Sequence, residues 1–420
     1  MQINQTILQS MSIKEVYGCY TGIPKEAKYL IYASIMPSVA YGMLFTDLSF
    51  FLTAVQGVST NFMGIVITLM GVSTFVASIL LGIIADVYGR KRLLIGGNVL
   101  ASVILIAFAL TTDPLLLIAA AIVEGISEGA ILASSNALLA EKVKDEQRTS
   151  VFSLYGFAQS IAFGLGSFAV SAVLVFELFG FTNRESHILV YIIIGILSLF
   201  STLIMIKVKE STNLKKIKKG ISDLMPRKSK KLLFKYILTG AIIAFGAGLV
   251  VPLMTLWFKL QYGISDAISA PVLGVSSILI GLAILYSPLL TKRLGLIKAI
   301  VITQIASTVF MFATPFSPNF AIAGFVYSMR ALLMNMGSPL SQSMIMGLVP
   351  EDERGTASGI SGALWRLPNA LSTWIGAWLM GIGLLFEPFF IAGLFYIISI
   401  ILFWFFFRRL KMPEEQIPPK

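Results

Sequence analysis

The sequence predicts an all-α membrane protein, with twelve transmembrane helices in two pseudo-symmetric six-helix bundles. Three observations carry this. Of 420 residues, 56% are hydrophobic and only 13% charged, against ~25% charged in a typical soluble domain. The apolar residues fall in twelve long continuous runs, whereas a membrane β-barrel shows ~10-residue segments of alternating polarity. Finally, the two halves of the chain repeat at a constant offset.

The runs cover roughly 28–54, 62–84, 93–112, 114–140, 150–176, 187–206, 233–259, 267–290, 296–314, 319–347, 357–382 and 387–407. A spanning helix needs ~20 predominantly apolar residues, and each run is of that order. Pro37, Gly42, Pro252, Pro288 and Pro368 lie inside runs, where neighbouring helices satisfy the freed backbone groups. Residues 1–27 lack the charged start and short apolar core of a cleaved signal peptide. They are expected to form a cytoplasmic N-terminal segment. The expected organisation continues with a first bundle at 28–206, a basic cytoplasmic linker at 207–232, a second bundle at 233–407 and a cytoplasmic tail at 408–420.

The repeat has an offset of 206 residues. Asp145-Glu146-Gln147-Arg148 after the fourth run matches Glu351-Asp352-Glu353-Arg354 after the tenth. Ser135 meets Ser341, Val143 meets Val349, and Gly89 meets Gly295. One offset held over distant anchors is hard to obtain by chance. Parallel repeats about an axis normal to the membrane are one way transporter halves are built.

The net charge of +11 raises nucleic acid as a partner, but its placement argues otherwise. With the N-terminus cytoplasmic, 28 of the 32 Lys and Arg fall at the cytoplasmic run ends, in the middle linker or in the termini. That is the positive-inside distribution. The expected surroundings are therefore the lipid bilayer of the plasma membrane, with both termini cytoplasmic and no nucleic acid bound. The single cysteine, Cys19, excludes an intrachain disulfide and a Cys metal cluster. No Gly-x-x-x-x-Gly-Lys-Ser/Thr loop for nucleotide phosphates is present, and no catalytic set of His, Ser or paired Asp gathers at one face. An enzyme is not expected, nor is a cofactor or metal.

Between the second and third runs the chain reads Gly82-x-x-x-Asp86-x-x-Gly89-Arg90-Lys91. This resembles the loop signature of the major facilitator superfamily, and the repeat extends the resemblance over nearly the whole chain. The second copy is degraded: Pro288 stands at the Gly82 position and Lys292 at that of Asp86. The resemblance implies a gating role for Gly82, Asp86, Gly89 and Arg90. Asp86 would face the N-terminus of the eleventh helix near Thr356, and Arg90 would pair with Glu141 at the end of the fourth. The residue-level alternative for the Arg90–Arg92 run is a topology determinant only.

Charges at mid-bilayer cost ~2.5–3.5 kcal/mol each by insertion scales, and are functional candidates by default. Glu124 and Glu128 lie in the fourth run, Arg330 in the tenth, Arg366 in the eleventh and Asp47 in the first. The 206-residue offset maps Glu124 onto Arg330, each ~15 Å deep at 1.5 Å per residue. The resemblance places the first, fourth, seventh and tenth helices around a central cavity, so both would face it. Glu124 and Glu128 are four apart and share a helix face, where two carboxylates oppose each other's ionisation. They are candidates for proton coupling or cation binding, and Arg330 and Arg366 for gripping an anion. The bland alternative is a structural ion pair between a Glu and an Arg. Asp47 lies nearer the outer end, where it either joins the site or reaches the interface. Asn335 and Asn369 are further candidates, with Tyr41, Phe45, Trp257 and Trp365 as possible cavity aromatics. His187 is expected near the outer surface, which excludes a buried His relay.

The expected function is secondary active transport of a small organic solute by alternating access, coupled to protons, by a monomer. Drug or metabolite efflux is the default reading. Two departures weaken it: the fourth-helix Arg of many drug–proton antiporters is missing near Ala121 and Gly125, and Gly156, Gly164 and Gly166 lack the Gly-Pro pair of the fifth. Neither the sugar-transporter nor the peptide-transporter signature is present. The alternatives are an organic-anion uptake carrier or uniporter using Arg330 and Arg366, and a non-transporting receptor, scaffold or lipid mover.

Overall fold

In the computed structural model, residues 23–143, 145–209, 229–348 and 354–409 are described, and they contain no strand. Twelve long helices follow: α1 (Lys25–Phe50), α2 (Thr60–Tyr88), α3 (Arg90–Leu110), α4 (Pro114–Glu141), α5 (Asp145–Ala169) and α6 (Asn183–Met205) in the first half. The second half has α7 (Lys230–Gly248), α8 (Asp266–Leu294), α9 (Leu296–Ala313), α10 (Phe320–Leu348), α11 (Arg354–Gly381) and α12 (Glu387–Phe407). Eleven of them are long and apolar enough to cross a membrane. The twelfth, α11, is as long at 28 residues but carries Arg366 in mid-helix. Large apolar side chains cover the outside, among them Leu115, Leu178, Phe325 and Phe405, each more than 60% exposed. Water would not tolerate such a belt, and lipid solvates it.

The helix starts follow local chemistry. Ser59 caps α2, Asp113 caps α4 with Pro114 in the first turn, and Thr182 and Glu185 form a capping box on α6. Gly89 and Gly295 each end one helix and begin the next at φ 103° and 76°, backbone that a side chain would strain. The internal repeat is therefore conformational as well as sequential. Close packing repeats too: a Cβ on Gly42 would lie 2.2 Å from the Phe163 carbonyl oxygen, and one on Gly248 2.0 Å from that of Asn369. Both partners in each pair are displaced by 206, the offset that also separates the hydrogen-bonded Ser49 and Thr255.

The basic face is the membrane side where α1 begins and α12 ends; the other is the far face. At the far face one hydrophobic core joins both halves, with Leu48, Phe51 and Leu52 packed with Leu249, Leu253 and Trp257. Toward the basic face the core divides. One cluster, including Leu30, Leu94 and Leu139, belongs to the first half, and another, including Leu296, Leu340 and Phe403, to the second. The molecule is thus closed at the far face and parted at the basic face. Hydroxyl contacts reinforce the closure: Thr255 donates to the Thr46 carbonyl at 2.6 Å, and Ser171 to the Ala267 carbonyl at 2.6 Å.

Among the described residues, a Cβ on Gly82 would meet only Ala133, at a comfortable 4.0 Å, so the close approach of α2 and α4 is not there. It lies at Gly125, where a Cβ would stand 2.3 Å from the Met70 carbonyl oxygen. Gly125→Val is expected to cost about 3 kcal/mol, read as a lowered unfolding temperature of purified protein. Gly82→Ala should leave that temperature unchanged.

Candidate functional site

Two cavity lobes, of about 510 and 540 Å³, occupy the space between the halves. The first runs toward the basic face past Leu30, Leu94 and Leu139; the second passes Tyr236 and Phe403. Tyr41, Glu124, Glu128 and Arg366 line both, so the lobes meet at the mid-membrane charges. Apolar walls around a few convergent polar groups are what a small-molecule site needs.

Glu128 on α4 and Arg366 on α11 form an ion pair at 3.1 Å. It joins the two halves, and Tyr41 lies against it. Glu124, one turn back on the same helix face, is 4% exposed and its Oε2 has no hydrogen-bond partner. Arg330, at the position equivalent to Glu124, is 3% exposed. Its guanidinium lies 4.8 Å from the Tyr327 ring centroid and donates to the Tyr396 hydroxyl at 3.2 Å, while its Nε is unpartnered. Among the described residues no carboxylate pairs with it. An unpaired acid and an unpaired base thus sit in the two halves at equivalent positions, both in the wall of the second lobe.

Asn335 and Asn369 line the second lobe, but the Asn335 amide donates to the Ala331 carbonyl and that of Asn369 to the Ala244 carbonyl on α7. Tyr41, Phe45 and Trp365 line the cavity. Trp257 does not; it is fully buried in the far-face core and donates to the Leu385 carbonyl. Spacing gave no warning of Gln304 and Tyr396, whereas Tyr327 stands three residues before Arg330 on the same face of α10. The only signal for the first two was that they stand where helices of the second bundle surround Arg330.

At the basic end Arg90 contacts Glu141 and reaches toward the Ala137 carbonyl. The side chains of Asp86 and Thr356 lie outside the described ones, as do Cys19, residues 210–228 of the linker, Glu351-Asp352-Glu353 and residues 410–420.

At the far face the exposure expected of His187 needs correction, and one of the two readings of Asp47 drops out. His187 is fully buried, and so is Asp47 at 1% exposed; neither reaches the surface or the interface. The halves close over them. Tyr191 donates to Asp47 at 3.0 Å, Phe51 stacks on both His187 and Tyr191, and Asp266 from the second half meets His187. Sequence could not show this, because the Asp266 partner lies across the bundle interface.

Comparison with known proteins agrees with the architecture. The chain is 26% identical over 186 residues to a protein described as an uncharacterized transporter of Buchnera aphidicola subsp. Schizaphis graminum (strain Sg); the match spans 43% of this chain and 45% of that protein. It therefore spans under half the length of that curated relative. Among solved structures, the nucleoside transporter NupG (D323A mutant) superposes with a TM-score of 0.76 at 14% identity, covering 91% of this chain and all of that one. A bacterial homolog of the human lysosomal transporter Spinster, inward-facing and unoccupied, gives 0.75 at 12% identity, covering 94% and 98%. A D-xylose-proton symporter gives 0.71 at 16%, covering 93% and 98%. At these identities the likeness speaks for the fold alone. The family model of the Major Facilitator Superfamily matches residues 30–373 and 236–420, nearly the whole chain, and the chain belongs to that superfamily of membrane transporters.

Proposed function

We propose that this protein moves a small organic solute across the plasma membrane by alternating access, coupled to protons through Glu124 and Glu128. Both termini are then cytoplasmic and the far face is the outer one. One observation carries the reading: cavity lobes from both halves converge on Glu124, Glu128 and Arg366 at mid-membrane. Intramembrane ionisable residues of this kind are costly and mark substrate or proton routes. Two carboxylates one helical turn apart, only one of them paired with an arginine, suit a group that loads and unloads a proton.

A second reading concerns the solute. Arg330 faces the second lobe without a carboxylate partner among the described residues, which favours an organic anion held by its guanidinium. The deciding experiment loads proteoliposomes with a metabolite and drug mixture, imposes a pH gradient and reads movement by mass spectrometry. Gradient-driven movement of one class names the substrate; no movement of any solute favours the receptor, scaffold or lipid-mover alternative. Efflux remains the default direction.

The gating role of Gly82, Asp86, Gly89, Arg90 and Glu141 belongs to the same proposal. The Arg90–Glu141 contact is about 30% exposed on both sides, and such pairs are worth ~0–1 kcal/mol. Arg90→Ala should therefore leave the unfolding temperature nearly unchanged. Its expected effect is a lower transport rate in the same proteoliposomes, because the contact ties the start of α3 to the end of α4 at the cytoplasmic end of the first half, where the gate is built.

A further inference from the structure

We propose that His187 and Asp266, with Asp47 beside them, form a proton-binding site that exists only while the far face is closed. It is separate from the α4 acids and does not depend on their role.

The proton count follows from hydrogen-bond chemistry. His187 Nδ1 lies 2.8 Å from the Asn183 carbonyl oxygen. A carbonyl can only accept, so Nδ1 carries a hydrogen. His187 Nε2 lies 2.6 Å from Asp266 Oδ2, a contact that requires a second proton between them. The pair therefore holds two protons, one more than a neutral imidazole and an ionised carboxylate hold when apart in neutral water.

Burial makes that proton matter. Asp47, His187 and Asp266 are at most 1% exposed, and among the described residues the groups that act on them are one another, with the Asp47 and Asp266 carboxyls in direct side-chain contact, Tyr191, and the Asn183 and Ala267 backbone. Asp47 Oδ2 accepts from the Tyr191 hydroxyl, while Asp47 Oδ1 and Asp266 Oδ1 have no hydrogen-bond partner. Without the extra proton two carboxylates would be buried beside a neutral ring, and uncompensated buried charge is strongly disfavoured.

The site also spans the moving interface. Asp47 on α1 and His187 on α6 belong to the first half, and Asp266 opens α8 in the second. Parting the far face breaks the His187–Asp266 bond and hydrates all three groups, and the extra proton leaves to that side. Closing the far face takes it up again. Acid should hold the far face closed, and alkali should favour its opening.

The chain has one histidine, so protein labelled with 15N-histidine reports this ring alone. In full-length protein in nanodiscs at pH 7, both ring nitrogens are expected to be protonated, and Asp266→Asn should leave one bare. The conformational arm uses spin labels at Leu178→Cys and Phe316→Cys, exposed far-face positions in opposite halves, on a Cys19→Ser background. Lowering the pH from 8.5 to 5.5 is expected to shift the population toward the short distance at least tenfold. Asp266→Asn and His187→Gln should flatten that response; Glu124→Gln with Glu128→Gln should keep it. A bare ring nitrogen in the unsubstituted protein would overturn the proposal. So would a pH response that survives Asp266→Asn, vanishes with the α4 acids, or disappears in chelator, which would make it a metal effect.

Discussion

Glu124→Gln is expected to abolish accumulation of solute against its gradient while leaving solute-for-solute exchange in place. The carboxylate is 4% exposed with Oε2 unpartnered, and Gln keeps its shape while removing the exchangeable proton. One unit of pH difference is worth ~1.4 kcal/mol per coupled proton, a tenfold concentration ratio. A one-proton carrier should therefore hold a ~tenfold solute ratio across one pH unit, and the variant a ratio of one. Exchange needs only that the loaded site face each side in turn, so its rate should stay within a few-fold. Proteoliposomes with internal and external solute followed by mass spectrometry read both quantities. Accumulation that persists in Glu124→Gln and in Glu128→Gln would remove proton coupling from α4 and leave these acids structural.

The fold was legible because membrane physics writes it in one dimension. Twelve apolar runs had to become helices, since only helices or closed barrels satisfy the backbone in lipid. Most helices start and stop within a few residues of those runs, but the runs 150–176 and 233–259 are each broken near the far face, α5 ending at Ala169 and α7 at Gly248 before a shorter helix continues. The 206-residue offset was visible at Gly89 and Gly295, and it reappears as paired positive φ angles at both glycines. The site was legible in part. Glu124, Glu128, Arg330 and Arg366 stood out because charge inside an apolar run is costly. Which acid meets which arginine was not legible: Glu128 and Arg366 are on different bundles, and pairing depends on how the bundles pack against each other. For His187 the obstacle was the same. Its place near a run end looked like the membrane surface, and only the opposite bundle, bringing Asp266 and the buried segment around Trp257, turns that surface into interior. Charges within one helix can be read from spacing, whereas those that meet across the interface between the halves cannot.

That distinction decides what the Glu128–Arg366 pair is for, and a mutational cycle separates the answers. Arg366→Gln leaves Glu128 facing the cavity without its counter-charge, and Glu128→Gln leaves Arg366 so. Breaking a buried pair typically costs 3–5 kcal/mol. Cavity water reaches both side chains, 28% and 13% exposed, so about 2–3 kcal/mol is expected for each single variant. The double variant Glu128→Gln with Arg366→Gln removes both charges and should recover to within about 1 kcal/mol of the starting stability, giving a coupling of roughly 4 kcal/mol. Chemical denaturation in detergent measures all three. If stability were the pair's whole role, the double variant would transport as well as the unsubstituted protein. If the pair also holds the halves together at mid-membrane in the state closed at the far face, breaking it should shift the balance toward far-face opening. The double variant would then be stable and yet slow, its rate set by the return to the state seen here. Recovery of stability without recovery of transport is the expected result, and recovery of both would make the pair a structural clamp only.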